Sequence, residues 1–111
     1  MAVYVSNIVI EQGFDFETTF QLEDTRTNSF LDLTTAIPEA QIRKHSGSST
    51  SVSLASTISD GELGLLTVSL GSTATAALKP GRYLYDIRLT SGGKYYKAVE
   101  GTVLVRAGVT R

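Results

Sequence analysis

The sequence predicts a small all-β protein, a sandwich of about seven antiparallel strands with one short helical turn. Two observations lead there. The strongest segments alternate apolar and polar residues with period two, as a strand with one buried face requires. Turn residues punctuate the chain between them, and only one short segment breaks the β texture.

The elements follow in chain order. Residues 3–10 carry Val3, Tyr4, Val5, Ile8 and Ile10, too apolar for a free arm. Residues 1–10 form either the first edge strand or a contact arm that packs on a partner, and deletion of Met1 to Ile10 is expected to leave the sandwich folded. Residues 14–22 place Phe14, Phe16, Phe20 and Leu22 on one face and Asp15 and Glu17 on the other. Glu23-Asp24 followed by Thr25-Arg26-Thr27-Asn28 reads as a hairpin connection. Shorter strands are predicted over residues 39–44, 51–57 and 65–70, with the Ser-rich run 46–50 and Asp60-Gly61 as loops. Residues 72–78 begin with a capping residue followed by small helix formers, enough for about one helical turn crossing from one sheet to the other. Lys79-Pro80-Gly81 reads as a type II turn and Ser91-Gly92-Gly93 as a hairpin turn. They bracket the clear strand 83–89, and residues 95–105 form the last strand, with Gly101 read as a bulge that re-phases it.

The 111 residues are 41% hydrophobic and 19% charged, the composition of one globular domain spanning 1–111, with 106–111 as a C-terminal tail. There is no cysteine, which excludes disulfides and thiolate metal sites. The formal charge of −1 gives no general attraction to nucleic acid or to an anionic membrane. No stretch approaches the ~20 apolar residues of a membrane span. The N-terminus lacks the basic segment and apolar run of a secretory signal, so synthesis and folding in a cytoplasm are expected.

Residues that could carry chemistry have simpler readings. His45 stands alone beside a Ser-rich loop and reads as a solvated loop-edge residue, since a base needs partners brought by the fold. Ser46 and Ser48 lie near it only in sequence, and no Gly-x-Ser-x-Gly elbow exists. Asp15, Glu17, Glu23, Asp24 and Asp32 do not match a calcium loop and read as surface decoration. Arg82, Arg88, Lys94 and Lys97 gather on the last hairpin, where cations keep a sheet soluble. No catalytic residue, metal ligand or cofactor follows.

The tyrosines are more specific. Tyr83 and Tyr85 follow Pro80-Gly81 with the spacing of a tyrosine corner, in which a strand-start Tyr hydrogen-bonds back across the turn. Tyr85 then takes the place that a core cysteine holds in immunoglobulin domains, and the sandwich is read as immunoglobulin-like. Tyr4, Tyr95 and Tyr96 remain as partner-contact candidates.

Four segments together carry a family resemblance: Leu31-Asp32-Leu33-Thr34, then Gln41-Ile42-Arg43, then Pro80-Gly81-Arg82-Tyr83-Leu84-Tyr85-Asp86, and Glu100-Gly101-Thr102-Val103-Leu104-Val105. With the ending Val109-Thr110-Arg111, the chain resembles small tailed-phage structural proteins and the N-terminal domain of phage baseplate upper proteins. The resemblance covers nearly the whole chain, from about Phe14 onward, and its motifs are mostly structural. It implies a virion component with no catalytic residues to carry over.

The expected function is a non-enzymatic virion structural or adaptor protein. It binds neighbouring virion proteins at the baseplate, fiber attachment, neck or capsid surface, and forms a homo-oligomer in the particle. The alternative is a receptor- or carbohydrate-binding module using loops at one end of the sandwich. Free loop aromatics would favour it, whereas the aromatics here sit in strand patterns.

Overall fold

A computed structural model describes residues 4–24, 29–30, 33–44, 47 and 51–109. In chain order the elements are β1 (Tyr4–Val5), β2 (Ile8–Glu11), β3 (Phe16–Gln21), β4 (Glu23–Asp24), β5 (Ser29–Phe30), β6 (Ile37–Arg43) and β7 (Val52–Asp60). They continue with β8 (Leu65–Leu70), α1 (Ser72–Ala76), β9 (Gly81–Ser91) and β10 (Lys94–Arg106). The protein is all-β. Among the described residues its one short helix lies within the predicted segment 72–78, with Gly71 and not Ser72 in the capping position.

The main sheet follows the path β1-β10-β9-β6-β7-β8-β3, with β2 also on β10. One strand folds this path into two layers. The first part of β7 pairs with β6, ending at Leu54 opposite Ala40, and the rest pairs with β8, beginning at Ala55 opposite Ser69. The front layer is therefore β1/β2, β10, β9, β6 and the start of β7; the back layer is the remainder of β7, β8 and β3. α1 carries the chain from back to front. β4 and β5 pair as a separate small hairpin, so Glu23-Asp24, read as part of a connection, is instead a short strand, while residues 25–28 lie outside the described residues.

Alternation sets the layers against each other. In β9, Tyr85, Ile87 and Leu89 are buried while Arg82, Leu84, Asp86 and Arg88 face solvent. In β8, Leu66, Val68 and Leu70 are the buried row. Each such aliphatic contributes about 1.5–3 kcal/mol on burial. The first two strands also join this core: Ile8 is 7% and Ile10 0% exposed. Residues 4–11 thus form an edge strand whose removal would open the core, contrary to the expectation that the segment is dispensable. They run parallel to β10, where antiparallel pairing throughout was expected.

The hairpin β9–β10 closes at Gly92 and Gly93, both with positive φ (60° and 76°), between the paired residues Ser91 and Lys94. Two-residue turns of this hand match the strand twist. The irregularity in β10 lies elsewhere than the glycine suggested. The register shifts between Lys97 and Val99, which turns both Ala98 and Val99 inward. Gly101 stays in register opposite Tyr85. It is glycine for a different reason: a Cβ there would collide with the Ser6 carbonyl and press on the Tyr85 ring.

A polar knot fastens the β2–β3 turn to α1. Thr75 is fully buried; its hydroxyl donates to the Phe14 and Ser72 carbonyls (2.8 and 3.0 Å) and accepts from the Gly13 N–H (3.1 Å). The Gln12 amide donates to the Leu78 carbonyl at 3.1 Å. The helix cap comes from across the fold. Gly71, in the N-cap position, has no side chain to offer, and the Asp15 carboxylate accepts from the Ser72 N–H at 2.7 Å. Asp15 is thus a cap rather than decoration, satisfying one of the orphan donors of the first turn.

Candidate functional site

The outer face of the front layer is built by the exposed rows of β10, β9 and β6. Lys97, Arg88 and Glu39 lie in one cross-strand row; Glu100, Asp86 and Gln41 lie in the next. Arg88 donates to Glu39 at 2.7 Å, and Lys97 reaches Glu100 at 3.3 Å and Asp86 at 3.9 Å. Of the cations that the sequence gathers on this hairpin, Arg88 and Lys97 are therefore locally neutralised. Such exposed pairs contribute little to stability, and it is the strand register that sets which side chain lies beside which. At the hairpin end the Arg88 guanidinium stacks on the Tyr95 ring, 4.4 Å from its centroid. Tyr95 remains 67% exposed, and Ile37, across Thr90 in the same row, is 61% exposed. A depression of about 500 Å³ runs between these groups, lined by Glu39, Gln41, Arg43, Asp86, Arg88 and Tyr95 among others.

Toward the β1/β2 edge the same face becomes aliphatic. Val9 lies opposite Leu104, and Leu84 lies opposite Thr102 on the neighbouring strand. With Val5 they form a group of four exposed aliphatic side chains, from 38% to 74% exposed. At its centre the Asn7 carboxamide oxygen accepts from both the N–H and the hydroxyl of Thr102 (3.1 and 2.9 Å).

Those two bonds replace a missing rung. Ser6 donates its N–H to the Glu100 carbonyl at 2.9 Å, so a regular parallel ladder would give the Thr102 N–H to the Ser6 carbonyl. Instead that carbonyl accepts the Tyr85 hydroxyl at 2.6 Å. Gly101 leaves room for this, and Asn7 satisfies the Thr102 N–H so released. Burial pushes the Tyr85 hydroxyl pKa up, and its bond to Ser6 pulls it partly back.

The sequence-predicted residues separate accordingly. Tyr83 makes a corner bond, its hydroxyl donating to the Lys79 carbonyl at 2.7 Å, while its ring is half-buried under the Lys44 ammonium. Tyr85 fills the core. Tyr95 and Tyr96 sit at the hairpin end, with Tyr96 37% exposed. Tyr4 is placed by its backbone opposite Val99 on β10. His45, Ser46, Ser48 and Asp32 lie outside the described residues, and Glu17 is exposed on β3. Among the described residues no group of three or more His, Asp or Glu is placed to hold a metal. No helix among them is long and apolar enough to cross a membrane. Reading the sequence alone misses Asn7 and Glu39, whose roles depend on pairing with residues far along the chain.

No family model and no curated protein matches the chain. Among solved structures, 22 chains match. One is InlP of Listeria monocytogenes, with a TM-score of 0.50 and 16% identity over 91% of this chain and 26% of that one. Another is a family 123 glycoside hydrolase from Clostridium perfringens that acts in glycolipid glycan hydrolysis, with a TM-score of 0.45 and 11% identity over 97% and 24%. The likeness to InlP is one of fold alone. This chain spans about a quarter of the length of either protein.

Proposed function

We propose that the chain is a non-enzymatic structural or adaptor subunit of a tailed-phage particle, binding neighbouring virion proteins through the outer face of its front layer. The observation that carries this reading is the aliphatic group Val5, Val9, Leu84 and Leu104 around the Asn7–Thr102 bonds. Exposed apolar groups gathered around a fixed polar pair suit protein contact. The rows of paired charges beside them, placed by the strand register, offer a pattern that a partner can match. The resemblance to phage baseplate proteins supports the same reading, and the position in the particle follows from the partner.

The test is the particle. Purified virions should contain the chain, and Leu84→Lys with Leu104→Lys should keep the unfolding midpoint but abolish incorporation. Absence of the wild-type chain from virions would end the structural reading; normal incorporation of the double variant would move the contact to another face.

A second reading, a carbohydrate-binding module, has one observation in its favour. The exposed Tyr95 ring stands beside Glu39, Gln41 and Asp86 in an open depression on the sheet, not on loops as this alternative expected. Aromatic stacking flanked by a few held polar groups is the general form of a small-ligand site. Glycan-array binding lost in Tyr95→Ala would support it.

A further inference from the structure

The back layer ends at β3, which among the described residues pairs with β8 alone. The ladder settles which of its backbone groups remain open. Leu22 donates to the Gly64 carbonyl, and the register that joins Phe20 to Leu66 and Thr18 to Val68 continues to that pair. In an antiparallel ladder the bonded pairs alternate, so Phe16, Thr18 and Phe20 point their N–H and C=O groups at β8. Glu17, Thr19 and Gln21 point theirs away. Of the usual edge protections, no lysine, no proline and no bulge lies within Phe16–Gln21, and its one charge is Glu17.

We propose that β3 is the edge on which two copies of this chain pair, antiparallel about a two-fold axis through Thr19. The observation that fixes the occupant is self-complementarity. Centred on Thr19, the three outward residues give and receive about six hydrogen bonds, because Thr19 meets Thr19 of the second copy and Glu17 meets Gln21. No like charges oppose; each Glu17 carboxylate lies across from a carboxamide that can donate to it.

The side chains on the solvent face extend the match. The Thr19 hydroxyl bonds the Thr67 hydroxyl at 2.9 Å, and Thr67 donates to Ser59 at 3.2 Å. This hydroxyl row runs across β7, β8 and β3 to the open edge and would continue through the axis into the second copy. Pairing merges the two back layers into one sheet and leaves the aliphatic group of the front layers free. It narrows the assembly part of the virion reading, but it concerns the purified chain, so its failure leaves the virion test untouched.

Sedimentation equilibrium of the full chain should give a concentration-dependent dimer. Thr19→Pro removes the outward N–H of each copy along with the hydroxyl that meets Thr67, leaves the backbone bonds to β8 in place, and should weaken the dimer roughly thirtyfold through two lost backbone bonds. Thr19→Lys places two cations face to face and should give a folded monomer, its far-UV circular dichroism that of the wild type. Because the chain has no cysteine, Thr19→Cys should form a covalent dimer on mild oxidation, since directly opposed residues in bonded pairs approach to about 5.5 Å. Thr57→Cys, on the same face two strands inward, should not. A wild-type chain that stays monomeric, or a dimer that survives Thr19→Lys unchanged, overturns the proposal.

Discussion

Replacing Tyr85 by phenylalanine tests the rewired rung between the first strand and the last. The ring stays in the core, so the change isolates one hydroxyl. The bond it makes to the Ser6 carbonyl is short, at 2.6 Å, and contributes about 1 kcal/mol net. Losing it also orphans the carbonyl, because the ladder donor that would otherwise serve it, the Thr102 N–H, is held by Asn7. An orphaned, half-buried acceptor adds roughly another 1 kcal/mol, near the low end of the range for such groups. The total is about 2 kcal/mol. With an unfolding entropy of roughly 2.1 cal/mol/K per residue over 111 residues, each kcal/mol lowers the midpoint by about 4 °C. Thermal unfolding followed by circular dichroism should therefore shift by about 9 °C. A second variant sharpens the test. In Tyr85→Phe with Asn7→Ala, the Ser6 carbonyl and Thr102 N–H are both released and can pair with each other. The double variant should be more stable than the sum of the two single losses by about 1 kcal/mol. A single variant within about 0.5 kcal/mol of wild type, or strictly additive losses, would refute the account of this rung.

Three further outcomes follow from other contacts. Gly101→Ala should lower stability by about 2 kcal/mol or more, measured by urea unfolding, because the new methyl meets the fixed Ser6 carbonyl and the Tyr85 ring. Thr75→Val should cost about 2–3 kcal/mol in the same assay, since it strips a fully buried hydroxyl from its Phe14, Ser72 and Gly13 partners. Stability should also fall at high pH. The folded state holds the Tyr85 proton above the ordinary tyrosine value near 10, so the unfolded chain ionises first and the stabilisation declines as pH rises from about 10 through the folded pKa. The steepness of that decline should diminish in Tyr85→Phe.

Much of this fold is written locally. The alternation in residues 83–89 specifies which side chains enter the core, because a one-residue slip would exchange the two faces. Gly92-Gly93 specifies its hairpin for an equally local reason. What depends on a distant partner is not legible. Asp15 looks like one more outward carboxylate on a strand, and its role as a cap exists only because the fold brings α1 to it. Gly101 advertises an irregularity without its kind: the bulge falls between Lys97 and Val99, and the glycine answers to a carbonyl on the opposite end of the sequence. The change of partner within β7 leaves no mark on its composition, since both halves alternate alike. The outer face divides in the same way. The cations of the last hairpin can be listed from the sequence, but the neutralisation of Arg88 and Lys97 by Glu39, Asp86 and Glu100 emerges only from the register.

The parallel pairing of the first and last strands has a mechanical consequence. The chain enters the sheet at Tyr4, beside Val99, and leaves it at Arg106, beside Glu11. Tension applied across these two points pulls the strands past each other along their length. The rungs are then loaded together in shear, not opened one after another as in a zipper. The Tyr85–Ser6 bond acts as a cross-brace at the middle of that seam, anchored to a third strand. A module strung in this way passes force from one end of its sandwich to the other, and its resistance is governed by the rate at which the seam lets go rather than by equilibrium stability.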